Sequence, residues 1–84
     1  MRDSDYILTN VRGAFKVAFG IDPQLVTMQT TPSDVPDWDS VGHLSLTSTL
    51  EEVFGIRLDV DDLMEMESVR EIVRIVTART SAKV

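Results

Sequence analysis

The sequence predicts an all-α domain: a small four-helix bundle of three main helices and one short one, with a long loop between helices 1 and 2. Three observations predict it. Apolar residues recur at three- and four-residue steps in separate stretches, as a helix with one buried face requires. Capping residues and glycines punctuate the ends of those stretches. No segment alternates apolar and polar residues as a half-buried strand would. With 84 residues the chain is sized for a single domain over 1–84, with an ordered core expected at about 4–78.

The first helix is expected to open at Ser4 as its cap, with Asp5 in the first turn where the helix dipole favours negative charge. Ile7, Val11, Phe15 and Ala18 form its apolar stripe, with Leu8 and Phe19 beside them. Gly13 weakens it by roughly 1 kcal/mol relative to alanine. Gly20, followed by Asp22-Pro23, ends it. Residues 21–38 show no sustained period and carry Pro23, Pro32 and Pro36. Ile21, Leu25, Val26, Val35 and Trp38 give this stretch apolar anchors, so an ordered loop laid over the core is expected.

The second helix is predicted from about Ser40 to Phe54, capped by Asp37 or Asp39 and stopped by Gly55. At 100° steps, Leu46, Leu50, Val53 and Phe54 share a core-facing stripe. Val41 and Leu44 fall on the opposite side, among Ser45, Ser48, Glu51 and Glu52, an arrangement suited to a partner surface. Asp59 can cap a short third helix, with Asp61 and Asp62 in its first turn and Leu63 and Met66 turned inward. Ser68-Val69-Arg70-Glu71 has the capping-box pattern and opens a last helix with Val69, Ile72, Val73 and Val76 on one face. Beyond Thr77 the chain becomes polar and small, and its tail is expected to fray.

Composition narrows the function. The absence of cysteine excludes a disulfide framework, a thiolate zinc site, an iron–sulfur cluster and a cysteine nucleophile. A single histidine excludes a multi-histidine metal centre. The net charge of −6 argues against nucleic acid as a partner. Without a long apolar run or a signal peptide, a cytoplasmic, monomeric protein with no membrane span is expected. The charge is also uneven. Asp34 to Glu67 holds ten acids against one base, Arg57, for −9, while the rest holds four acids and seven bases, for +3. An acidic centre of this kind suits docking to basic partners.

Two chemical motifs fail on spacing. Asp39, Ser40 and His43 have the residue types of a hydrolytic triad, but neighbours on one helix cannot supply an orienting acid, a base and an oxyanion hole together. The nucleophile-elbow pattern needs glycine where Trp38 stands. Asp59, Asp61 and Asp62 begin like a calcium loop, but Met64 and Arg70 occupy its glycine and glutamate positions; loose divalent-ion binding by the acids stays open. His43 is expected to be half-buried at the edge of the core stripe, or else at the mouth of a pocket between helices.

Trp38-Asp39-Ser40-Val41-Gly42-His43-Leu44-Ser45-Leu46, followed by Leu50-Glu51-Glu52-Val53-Phe54-Gly55-Ile56, closely resembles the acyl carrier protein family. There an Asp-Ser-Leu signature opens the second helix and a Leu-Glu-Glu-x-Phe-like stretch closes it. The correspondence runs through the whole chain. It implies that Ser40 is the attachment site of 4′-phosphopantetheine, delivered from coenzyme A by a phosphopantetheinyl transferase. It implies that Asp39 serves the transferase, through its carboxylate or by capping the helix, and that the protein itself catalyses nothing. Val41, Leu44, Ser48, Glu51, Glu52, Asp61 and Asp62 would then face partners with basic docking patches: acyl- or aminoacyl-activating ligases, synthases and acyltransferases. Val41 replaces the usual leucine, and Gly42 and Ser45 stand where carriers of primary fatty-acid synthesis often have acids. The resemblance therefore points to a specialised stand-alone carrier, in fatty-acid, modified-lipid or secondary-metabolite synthesis, whose first recognition turn is less charged. An aminoacyl or peptidyl carrier using the same serine is the alternative, and an unmodified helical interaction domain a second one.

Overall fold

A computed structural model describes residues 3–81, and its side-chain detail covers residues 5–80. The helices are α1 (Asp3–Phe19), α2 (Ser40–Phe54), α3 (Val60–Glu65) and α4 (Val69–Ser81), and a single 3₁₀ turn at Pro23–Leu25 interrupts the long loop. No strand occurs among the described residues. Helix α1 is the hub: it packs against both α2 and α4, while α3 rests on α4.

The apolar stripes meet as the periodicity requires. Ile7, Val11, Ala14 and Phe15 of α1 close on Leu46 and Leu50 of α2 and on Val69, Ile72, Val73, Ile75 and Val76 of α4. Burial of each large side chain contributes about 1.5–3 kcal/mol. The loop supplies Val26, Val35 and Trp38 to the same core, and Ile56 and Met66 join it from the later connections.

The loop's backbone is well accounted for. Tight turns pair Thr30 N–H with Thr27 O at 3.1 Å, Asp34 N–H with Thr31 O at 2.9 Å and Trp38 N–H with Val35 O at 3.0 Å. Arg12 Nε on α1 donates to Val26 O at 2.8 Å. The loop also caps α4 from outside: Val69 N–H donates to Thr30 O at 2.9 Å and Arg70 N–H to Met28 O at 3.1 Å. These groups would otherwise be orphan donors at a helix start. Ser68 Oγ accepts from Glu71 N–H at 3.3 Å, as the capping-box pattern predicts, while the Glu71 carboxylate turns to Arg74 at 2.7 Å.

Gly20 (φ 68°) and Gly55 (φ 62°) end α1 and α2 in the left-handed conformation that glycine adopts without steric cost. Asp59 opens α3 through a complete capping box: its carboxylate accepts Asp62 N–H at 2.9 Å, and the Asp62 carboxylate accepts Asp59 N–H at 3.1 Å.

Several expectations are corrected. Ser4 lies inside α1, which already includes Asp3, so it is not the cap. Leu25 is 66% exposed, because the 3₁₀ turn directs Val26 rather than Leu25 at the core. Val53 is 45% exposed although it shares the azimuth of Leu46. It sits in the last turn of α2, and periodicity gives direction around a helix, not how far along it the neighbours reach. Thr47 is buried instead, with Oγ1 donating to Leu44 O at 3.1 Å, so its hydroxyl is satisfied inside the core. Helix α4 continues to Ser81, past the expected limit near 78. The frayed tail expected beyond it falls outside the described residues.

Candidate functional site

Ser40 is the first residue of α2 and is exposed. Asp39, not Asp37, is the cap: its backbone is extended, its Oδ1 accepts Gly42 N–H at 2.8 Å, and its carbonyl accepts His43 N–H at 2.7 Å. The Ser40 hydroxyl is therefore presented at the positive end of a fifteen-residue helix. An anionic phosphodiester formed there is favoured by the dipole. An exposed hydroxyl in that field fits a phosphate-linked prosthetic group.

Gly42 explains how the segment before Ser40 is held. A Cβ at residue 42 would run into the Asp37 carbonyl oxygen and lie 2.9 Å from Phe19 Cε1. Only glycine allows the backbone at 37 to lie against the first turn of α2. The neutral residue at 42 is therefore a packing requirement.

Trp38 is buried beneath this turn, edge-on to Phe15 with ring centres 5.1 Å apart. Its indole Nε1–H donates to His43 Nδ1 at 2.8 Å, and the other ring nitrogen, Nε2, lies 2.8 Å from the Leu63 carbonyl oxygen on α3. His43 is half-buried and lines a groove, so both readings of its position hold. That open groove, about 680 Å³, runs beside Ser40 between Thr31–Ser33 of the loop, Trp38 and His43, and Leu63, Met64 and Met66.

The expected partner residues divide. Val41 (77% exposed), Leu44 (60%), Ser48, Glu52 and Asp61 lie on the surface. Glu51 is half-buried, and its Oε2 accepts Leu58 N–H at 2.9 Å, which ties down the chain after α2. Asp62 is buried; its carboxylate serves the α3 cap and pairs with Arg79 at 2.6 Å. It is part of the frame and is not presented on the partner face. The Asp59 carboxyl is held below its ordinary value of 3.8, chiefly by the Asp62 N–H it accepts and also by the Arg79 charge. The acids at 59, 61 and 62 do not form a metal-binding cluster, and none occurs among the described residues. Val60 and Met64, both exposed, were missed in the sequence; turning Leu63 and Met66 inward leaves them outside, a consequence legible from the same helix period.

Three comparisons bear on identity. The family model described as "Phosphopantetheine attachment site" matches residues 9–76. No curated protein matches the sequence. The solution structure of a holo acyl carrier protein from Geobacter metallireducens superposes with a TM-score of 0.82 at 25% identity, covering 90% of this chain and 87% of that one. The fold, the exposed serine at the head of α2 and a family match over most of the chain agree, and the protein belongs to the phosphopantetheine-attachment family of carrier proteins, which bear 4′-phosphopantetheine and are not themselves enzymes.

Proposed function

We propose that Ser40 is the attachment residue and that the protein is an acyl carrier, holding acyl groups as thioesters for specialised partners in fatty-acid, modified-lipid or secondary-metabolite synthesis. The observation that carries this reading is the exposed Ser40 hydroxyl at the capped start of α2, within a chain of this family. A phosphopantetheinyl transferase would supply the catalytic base. The Ser40 oxygen bonds to the pantetheine-side phosphorus of coenzyme A, the pyrophosphate P–O bond breaks, and adenosine 3′,5′-bisphosphate leaves. The Ser40 proton passes to the transferase. The bound group then supplies a thiol on a flexible arm, which raises the effective concentration of its cargo at each partner's active site.

Partner choice follows from the exposed face. Val41, Leu44, Val60 and Met64 give it apolar contacts, and Glu52 and Asp61 give it negative charge. A partner with a basic rim around an apolar recess fits this face. Ser45, exposed and neutral, keeps the first turns of α2 less charged and supports a dedicated partner. The aminoacyl carrier reading shares the serine and differs only in cargo.

Co-expression with a broad-specificity phosphopantetheinyl transferase, followed by intact-mass measurement, tests the reading. Wild type gains one phosphopantetheine and Ser40→Ala gains none. Wild type staying unmodified would restore the unmodified interaction domain. Offering the loaded protein to acyl-activating and amino-acid-activating ligases then separates the two carriers; we expect charging by the acyl-activating enzyme.

A further inference from the structure

We propose that His43 is a positioning residue that couples the Ser40 segment to α3. Its two ring nitrogens are both committed, and their partners fix their roles. The Trp38 indole can only donate, so Nδ1 accepts at 2.8 Å; the Leu63 carbonyl can only accept, so Nε2–H donates at 2.8 Å. Together they require the neutral imidazole protonated on Nε2. The Trp38 and His43 ring planes lie nearly parallel, 17° apart, with ring centres separated by 6.1 Å. The result is a continuous bridge from the loop, through α2, to the last turn of α3.

Each end of the bridge is attached to something that matters. At one end Trp38 immediately precedes the cap Asp39 and Ser40, and its ring is wedged against Phe15. The Asp37 carbonyl occupies the space a Cβ at residue 42 would need, so this segment packs closely against the first turn of α2. At the other end, α3 is six residues long. Its start is tied to α4 by Arg79, which reaches Asp62 at 2.6 Å and Asp59 at 3.2 Å. Its end is tied to α2 by His43 on a Leu63 carbonyl that also receives Met66 N–H at 3.3 Å. Such last-turn carbonyls have no partner within the helix itself. His43 and Leu63 also line the groove beside Ser40, so the bridge crosses it. A displacement of α3 is transmitted to Trp38 and hence to the acceptor serine, and the coupling is reciprocal.

That the bridge positions an acceptor serine rests on the carrier reading; the coupling itself does not. The test is a double-mutant cycle on the apo protein, read at the indole N–H resonance of Trp38, the only tryptophan. Arg79→Ala loosens α3 at its far end and is expected to shift that resonance in the wild-type background. His43→Asn keeps an acceptor near Nδ1 but not the reach to Leu63; His43→Gln keeps the donor near Nε2 but not the acceptor for Trp38. In either background the shift caused by Arg79→Ala is lost, although circular dichroism shows both proteins folded. Nitrogen chemical shifts of the wild-type imidazole show Nε2 protonated and Nδ1 not. The specificity constant for transfer onto Ser40 falls in His43→Phe, and neither Asn nor Gln alone restores it. The proposal is overturned if Arg79→Ala shifts the indole equally with and without His43, if either half-replacement restores transfer fully, or if Nδ1 carries the proton. Failure of the carrier reading looks different: wild type accepts no phosphopantetheine, whatever the indole resonance does.

Discussion

Asp39 and Gly42 each have a role that a substitution can isolate. Asp39→Ala removes the acceptor for Gly42 N–H and should lower stability by about 0.5–2 kcal/mol. Asp39→Asn retains a capping oxygen, so thermal melting should be nearly unchanged. Any loss of transferase rate in Asp39→Asn then reports the carboxylate rather than the cap. Gly42→Ala is expected to be destabilising by about 1–3 kcal/mol, because backbone at Asp37 has to move. Melting of the two proteins side by side checks this; an unchanged midpoint would mean that the loop yields freely. The start of α2 at Ser40 was legible from the sequence because capping is a local pattern, although that pattern left Asp37 and Asp39 as alternative caps. The role of Gly42 was not, since it depends on a carbonyl five residues earlier folding back onto the helix.

At the scale of elements, the helices were readable and their fastenings were not. Periodicity located α1, α2 and α4 within a few residues, and the Asp59 cap located α3. The loop's hydrogen bonds to Val69 and Arg70, the Arg79 pairs and the His43 bridge all join residues far apart in sequence, where no local pattern carries a signal. The α3 cap makes a pH prediction. Because folding lowers the Asp59 pKa, its contribution to stability is fully present above the ordinary value of 3.8 and is lost as pH falls through the lower folded value. Acid titration of the melting temperature should show that loss. Arg79→Ala should shrink it, since Arg79 is one of its causes, and should cost about 1–2 kcal/mol at neutral pH by leaving the buried Asp62 without its cation. A pH profile unaffected by Arg79→Ala would remove the guanidinium from the account.

For the whole molecule, the uneven charge read from the sequence is partly reconciled by folding. Arg74 and Arg79 of the basic C-terminal part return to the acidic segment, pairing with Glu65 and with Asp59 and Asp62. The exposed pairs, Arg74 with Glu65 and Arg79 with Asp59, contribute little each, and the net charge of −6 still opposes compaction. Added salt is therefore expected to raise the melting temperature; a fall would mean that the ion pairs outweigh the repulsion. What folding leaves at the surface includes the apolar side chains of Val41, Leu44, Val60 and Met64 and the carboxylates of Glu52 and Asp61. The central claim is that the prosthetic group is attached at Ser40. Fragmentation mass spectrometry of the transferase-treated protein tests it most directly: phosphopantetheine is predicted on Ser40 alone, and finding it on another residue, or on none, would contradict the account.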